Sequence, residues 1–107
     1  MVFTAAGDEE TAKSLLHSAV QARLAGSGQI IGPIHSAYWH LGEYGTGTEF
    51  KIQFMTTSDR YDELEAHLIK ARAGENWEIT AVQIARGSAA YLAWLTDPSA
   101  VPESSQP

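Results

Sequence analysis

The sequence predicts an α+β fold: a ferredoxin-like β-α-β-β-α-β sandwich with one antiparallel sheet and a short C-terminal helix. The first observation is a long strand pair over residues 34–57, whose second half alternates apolar and polar side chains from Phe50 to Thr56. The second observation is that two stretches with apolar residues at helical spacing lie before and after this pair. Since a hairpin is not stable alone, the helices are expected to pack on one face of the sheet.

The first helix follows a short strand at residues 2–6 and begins at Asp8, a residue type that caps helices well. Residues 26–28, which include two glycines, are expected to end it. Its apolar stripe consists of Ala12, Leu15, Leu16, Ala19, Val20 and Leu24.

The second strand is expected to begin at Gln29 and to bulge or bend at Gly32 and Pro33, because proline cannot donate to a ladder. Residues 42–47 contain three glycines and are predicted to form the hairpin turn. The alternation places Ile34, Ser36, Tyr38 and His40 on one face of this strand, and His35, Ala37, Trp39 and Leu41 on the other. We expect Trp39, Leu41 and Met55 to share one face of the sheet, and Phe50, Ile52 and Phe54 to share the opposite one. Apolar side chains on both faces favour oligomerisation.

Ser58 or Asp59 is expected to cap the second helix, which Gly74 closes. Its buried positions are Tyr61, Leu64, Leu68 and Ala71. Residues 78–86 are predicted to form the fourth strand and residues 89–95 the last helix. Residues 1–97 then form one domain, and the proline- and serine-rich residues 98–107 a disordered tail.

Composition excludes several classes of function. The net charge is −6 and the seven basic residues are scattered, which argues against a nucleic-acid partner. The chain has no cysteine, so disulfides and thiolate sites are excluded. No membrane-spanning run and no signal peptide are evident, so a cytoplasmic protein is expected.

The four histidines do not predict a metal site within one chain. His35 and His40 lie five residues apart on a strand and therefore point to opposite faces, and His17 and His67 have no partner at helical spacing. Convergence across a subunit interface stays open. No motif supplies an oriented nucleophile, so the chain is not expected to be an enzyme, and His40 as a general base is the weakest hypothesis.

Several ordered segments resemble the CutA family, the divalent-cation tolerance proteins. They are Val2-Phe3-Thr4, Asp8-x-Glu10-x-Ala12, Ala22-Arg23-Leu24-Ala25, Ile34-x-Ser36-x-Tyr38, Thr56-Thr57 with Leu64 beyond, Glu75-x-x-Glu78-Ile79 and Gly87-x-x-x-Tyr91-Leu92-x-Trp94-Leu95. The resemblance runs over residues 2–95. It implies a ferredoxin-like fold, a homotrimer, and kinship in architecture with the PII signalling proteins.

The resemblance also implies that clefts between subunits bind a divalent cation, copper first, or a small ligand. Ser27 stands where the family usually has a cysteine, and Arg72 where it usually has a histidine, so weak binding is expected. The candidate metal ligands are His40, Glu75 and Glu78, and the candidate ligand-binding residues are Tyr38 and Trp39. The alternative is a PII-like trimeric interaction or signalling protein without metal binding. An unidentified small ligand or protein partner is expected in addition to the homotrimer.

Overall fold

The computed structural model describes residues 1–72 and 78–96 of the chain. In chain order the elements are β1 Val2–Ala6, α1 Glu9–Gln21, β2 Ser27–His40, β3 Glu43–Met55, one turn of 3-10 helix Ser58–Arg60, α2 Tyr61–Ala71, β4 Thr80–Ala81 and α3 Ala89–Thr96. The four strands form one antiparallel sheet in the order β2-β3-β1-β4, and the helices α1 and α2 pack on one of its faces. This is the predicted α+β sandwich, and the fold class is confirmed.

The core lies between the two helices and the central strands. Ile52 and Phe54 of β3 are fully buried beneath Leu64 and Leu68 of α2 and the small residues of α1. The alternation in β3 therefore predicted correctly which of its residues face the helices. Polar neighbours of this strand, such as Lys51, point to the opposite face, which we call the open face.

The first helix begins as predicted and ends earlier. The Asp8 carboxylate accepts the backbone N–H of Thr11 at 2.7 Å, which satisfies one of the free donors of the first turn. The helix ends at Gln21 rather than at residues 26–28, since Arg23 adopts a left-handed φ of 62° that stops it. The chain after it is already part of β2 from Ser27 onward.

The predicted bulge in β2 is confirmed. Two residues of β2, Gly32 and Pro33, stand opposite the single residue Phe50, because the register shifts between Ile31 and Ile34. The shift changes which residues share a face. Trp39 pairs with Tyr44 and lies on the same side as Phe50, so the prediction that it shares a face with Met55 is wrong.

The hairpin turn is tighter than predicted. It consists of Leu41 and Gly42, with φ values of 51° and 81°, and His40 pairs with Glu43 across it. A two-residue turn with both φ values positive matches the twist of the strands. Residues 43–47, predicted as turn, belong to β3. Their glycines have a packing role instead, described below.

The fourth strand is much shorter than predicted. Its ladder with β1 covers Thr80 and Ala81, and Met1 and Val82 extend it by one exchanged pair of hydrogen bonds at 2.7 Å. Residues 83–86 run past the start of β1, so no strand of this chain lies beside them in the described part of the structure.

The predictions for the two helices that follow β3 are confirmed in part. The second helix begins at Tyr61 after the 3-10 turn, and neither Ser58 nor Asp59 forms a side-chain cap. The last helix agrees within one residue. The predicted tail, like the predicted helix end at Gly74, lies outside the described residues. Within the described ranges no helix is both long and apolar enough to cross a membrane.

Candidate functional site

A cleft of about 280 Å³ lies on the open face, where the end of β1 meets the inner half of the hairpin. Two of the predicted site residues, Tyr38 and Glu78, line it. The other polar side chains in its wall are those of Ser36, Thr48, Glu49 and Arg72. The cleft therefore brings together carboxylates, hydroxyls and one guanidinium, drawn from β2, β3 and the two ends of the segment between α2 and β4.

Glu78 forms an ion pair inside this region. Its Oε1 lies 2.9 Å from Nζ of Lys51, which projects from β3 onto the open face. Both side chains are partly exposed, at 31% for Lys51 and 46% for Glu78. A pair of this kind contributes about 0–1 kcal/mol to stability. The lysine can therefore be displaced, but it competes with any cation for the carboxylate.

Tyr38 lies where the neighbouring strand β3 has a glycine instead of a residue with a side chain. Its ring lies over Gly45, the residue paired with it, and a Cβ there would come within 2.8 Å of the ring carbon Cε1. Its hydroxyl reaches toward Gly47. The two glycines thus leave room for an aromatic ring to lie against the strand at the cleft.

Arg72 supplies positive charge at the other side of the cleft. Its Nη1 donates to the carbonyl oxygen of Ala5 at 3.1 Å, which ties the end of α2 to the end of β1. The guanidinium is also near Asp8, whose pKa is lowered mainly by the hydrogen bonds from Thr11 and to a smaller extent by Arg72. At this position a cation stands where the CutA resemblance implied an imidazole ligand.

The other two predicted residues on the hairpin, His40 and Trp39, lie at its tip. His40 is paired with Glu43 on the open face. Trp39 packs edge-on against Tyr44, with ring centroids 5.6 Å apart, yet 73% of Trp39 remains exposed. Leu41 in the turn is 89% exposed. The tip therefore presents three bulky apolar side chains and one imidazole.

One chain does not bring His40 and Glu78 together. Glu78 lies beside Lys51, and His40 lies opposite Glu43, eight residues away along β3. At about 3.3 Å per residue this separation is roughly 26 Å. Among the described residues no group of three histidine, aspartate or glutamate side chains is placed to hold a metal ion. The third candidate ligand, Glu75, lies outside the described residues.

A histidine–serine contact that sequence reasoning missed joins the two long helices. His67 Nε2 lies 2.9 Å from Oγ of Ser18, and this hydroxyl donates to the carbonyl oxygen of Leu15 at 3.2 Å. The arrangement links α1 to α2.

Lys51 and Arg72 were also missed as neighbours of the site. Strand alternation already placed Lys51 on the face away from the core, and this was the available signal. Nothing local in the sequence indicated that Arg72 would reach Ala5, since 67 residues separate the two.

Comparisons with known proteins agree with this architecture. A family model described as "CutA1 divalent ion tolerance protein" matches residues 1–98. A search of curated protein sequences gives no match.

Solved structures of CutA proteins match this chain over most of its length. A divalent cation tolerance protein (Cut A1) from Thermus thermophilus is 28% identical, with a TM-score of 0.84 over 90% of this chain and 93% of the other. CutA1 from Oryza sativa is 27% identical, with a TM-score of 0.83 over 95% and 92%. A protein described as the periplasmic divalent cation tolerance protein CutA from Archaeoglobus fulgidus is 25% identical, with a TM-score of 0.81 over 88% and 91%.

Proposed function

The chain belongs to the family of CutA1 divalent ion tolerance proteins, and from this premise we propose that it is a homotrimer that binds a divalent cation, copper first, between its subunits. The observation that carries the proposal is the family match over residues 1–98, and the separation of His40 from Glu78 within one chain then requires a site between two subunits. A site that uses both residues needs a second copy of the chain.

Unpaired backbone and exposed apolar side chains support self-association. β2 is an edge strand of fourteen residues, and residues 83–86 extend beyond their own neighbour β1. Long unpaired edges readily pair with another chain. Ile31, Tyr38 and Val82 on the open face are each between 43% and 50% exposed, as expected for a surface that another subunit covers.

The cation site combines the hairpin tip of one subunit with the cleft of a neighbour. His40 supplies an imidazole, and Glu78 with Glu75 supplies carboxylates. Copper(II) stands at the top of the divalent affinity order for nitrogen and oxygen ligands, so it is the first ion to bind such a set. Without a thiolate, and with Lys51 already paired to Glu78, the affinity is weak.

A second candidate function is a PII-like trimeric interaction or signalling protein without a metal role. The exposed tip formed by Trp39, Leu41 and Tyr44 favours it, since aromatic side chains are typical anchors of protein interfaces. In this reading Tyr38 and Trp39 contact a small ligand or a protein partner.

The first experiment measures mass and metal binding on the same samples. Light scattering after size exclusion should give roughly three times the chain mass of 11.6 kDa. Calorimetric titration of copper and zinc into the wild type, His40→Ala and Glu75→Ala at pH 7.5 and 5.5 should give weak binding that both substitutions reduce. Binding should also weaken at pH 5.5, since an imidazole must be neutral to ligate a metal.

The mass tests both functions together, and the metal titration distinguishes them. A monomer mass contradicts both, because both depend on a trimer. A trimer that binds neither metal supports the interaction protein. Tight binding that neither substitution weakens would mean that the metal binds elsewhere on the molecule.

Two further parts of the proposal follow from the sequence. We infer that the protein acts by binding rather than as an enzyme, and that it is cytoplasmic. The relative from Archaeoglobus fulgidus is described as periplasmic, so the location needs its own test. Fractionation of source cells, with marker proteins for each compartment, should find the chain with the cytoplasmic markers.

A further inference from the structure

The cleft on the open face contains two oppositely charged side chains that form no ion pair. Glu49 of β3 and Arg72 at the end of α2 both line it, and both are half-buried. Within residues 1–72 and 78–96, Glu49 forms neither a hydrogen bond nor an ion pair, and Arg72 forms one hydrogen bond, to the carbonyl oxygen of Ala5. Since charges removed from water are normally paired, each side chain can still satisfy a ligand group of opposite charge.

The other charged groups near the cleft already have partners. Oε1 of Glu78 is paired with Nζ of Lys51 at 2.9 Å. The Asp8 carboxylate does not line the cleft, and it accepts two hydrogen bonds from Thr11, at 2.7 and 3.0 Å. These hydrogen bonds are the main reason that the pKa of Asp8 is lowered, and Arg72 contributes less. The cleft therefore keeps one positive and one negative group for a ligand.

The uncharged part of the lining is polar, and the cleft is small. Ser36 of β2 lines it, and the hydroxyl of Tyr38 reaches toward Gly47. The volume of about 280 Å³ lies just below the usual range of small-molecule sites, which is about 300–1,000 Å³. A ligand of this cleft is therefore small and polar.

We propose that the cleft binds a small polar α-amino acid as its zwitterion. The ligand carboxylate accepts hydrogen bonds from the free N–H groups of Arg72, and the ligand ammonium donates to the carboxylate of Glu49. Its side chain lies beside Ser36 and Tyr38. A simple anion or a simple cation would leave one of the two protein charges unpaired, whereas a zwitterion pairs both. The inference rests on the second candidate function, because it names the class of small ligand that Tyr38 contacts there.

The test titrates the full-length protein with L-threonine and L-glutamine, in a buffer with a chelator so that no metal complex takes part. Two sets of derivatives each lack one charge: the N-acetyl amino acids have no ammonium group, and the amino-acid amides have no carboxylate. Nuclear magnetic resonance follows the backbone N–H groups of Gly7 and Gly47, which line the cleft. Each amino acid should bind about tenfold more tightly than either derivative, because hydrogen bonds between charged groups are the stronger ones.

Two substitutions assign the two charges. Glu49→Gln should weaken the amino acids about tenfold and leave the N-acetyl derivatives unchanged, because these have no ammonium group to pair with Glu49. Arg72→Gln should weaken the amino acids about tenfold and leave the amides unchanged, because these have no carboxylate to pair with Arg72. A change in the shape of the cleft would instead weaken all the ligands alike.

Glu43→Gln and Lys70→Gln are the matched controls. Glu43 is an exposed glutamate of β3, Lys70 is an exposed cation in the last turn of α2, and neither lines the cleft. Neither substitution should change the affinity for the amino acids. The indole N–H resonance of Trp39, at the hairpin tip, should not move during the titration.

Three outcomes would overturn the inference. The first is no saturable binding of either amino acid below about 10 mM, a concentration that corresponds to very weak affinity. The second is equal affinity of the wild type for the amino acids and for derivatives that lack one charge. The third is an equal loss of affinity in the cleft variants and in their matched controls. If Arg72→Gln fails to fold, Glu49→Gln and the comparison of ligands on the wild type still decide.

Failure of this inference and failure of the proposed function are distinguishable. A trimer that does not bind the amino acids contradicts the inference alone. A monomer mass in light scattering contradicts the proposed function, whatever the amino acids do.

Discussion

Nζ of Lys51 lies 2.9 Å from Oε1 of Glu78, and this contact joins the central strand β3 to the beginning of the last strand segment. Glu78 is one of the metal ligands predicted from the sequence. In this structure its carboxylate is already paired with the ammonium group of Lys51 from β3. A cation that binds Oε1 of Glu78 therefore competes with Lys51 for this oxygen.

Removing this lysine should therefore strengthen metal binding. In Lys51→Met the carboxylate loses the competing Lys51 ammonium, and the copper affinity should rise by up to about fivefold, the equivalent of the 0–1 kcal/mol that such a pair contributes. Lys51→Arg keeps the charge and is the matched control, with an affinity close to that of the wild type. Calorimetric titration at pH 7.5 measures both. An unchanged or lower affinity in Lys51→Met would mean that Glu78 is not a ligand.

Gly45 should tolerate a side chain poorly because Tyr38 covers it. In Gly45→Ala the new methyl would come within 2.8 Å of the Tyr38 ring, so the ring must leave its place, at a cost of about 0.5–1.5 kcal/mol. Gly47→Ala is the control, since its nearest atom would be the Tyr38 hydroxyl at 3.8 Å. Urea unfolding should show Gly45→Ala to be less stable than Gly47→Ala, since both variants share the gain that alanine brings over glycine in a strand. Equal losses in both would indicate a backbone cause instead.

Leu41 occupies a turn position that suits asparagine better. Its φ of 51° is left-handed, a conformation that costs a non-glycine residue about 1 kcal/mol or more and that asparagine adopts more readily. Leu41→Asn should raise the free energy of unfolding by about 1 kcal/mol, or roughly 4–8 °C in Tm. Leu41→Ala keeps the strained backbone and should change little, because the side chain is 89% exposed. A loss of stability in both variants would show that a partner subunit buries this side chain.

The pH dependence of stability should carry a contribution from Asp8. Hydrogen bonds from the backbone N–H and the hydroxyl of Thr11 lower its pKa in the folded state. A lowered pKa stabilises the fold above the unfolded value of about 3.9, and this contribution is lost as the pH falls through the folded value.

Asp8→Asn tests this contribution, because asparagine can cap the helix but does not titrate. The stability difference between the wild type and Asp8→Asn should be constant near neutral pH and shift against the wild type in acid. Urea unfolding from about pH 6 to pH 2.5 measures it. A constant difference over the whole range would contradict the assigned hydrogen bonds.

The elements with strong periodicity were predictable, and the errors arose where long-range pairing decides. The alternation around Ile52 and Phe54 and the apolar stripe of α1 each depend on local spacing, and both were predicted correctly. The face of Trp39 was predicted wrongly because the bulge opposite Phe50 shifts the register by one residue, and the sequence does not reveal which residues pair.

The same limit applies to the candidate site. Strand alternation placed Tyr38 and His40 on one face, and the register confirms it. How far each lies from Glu78 depends on how β1, β3 and the chain after α2 meet, which no local pattern contains. The ion pair with Lys51 and the hydrogen bond from Arg72 to Ala5 span 27 and 67 residues, beyond the reach of spacing arguments.

The central claim is that His40 of one subunit and Glu78 of another share one cation. The direct measurement uses two variants, His40→Ala and Glu78→Gln, each of which should bind copper at the site more weakly than the wild type when alone. The two are unfolded together in equal amounts, refolded so that their subunits mix, and titrated with copper. Random mixing gives a site one intact histidine and one intact glutamate from adjacent subunits in about one quarter of cases, so about one quarter of the wild-type capacity should return. No recovery above the separate variants would contradict the claim, because it would mean that both residues must come from the same chain or that neither binds the metal.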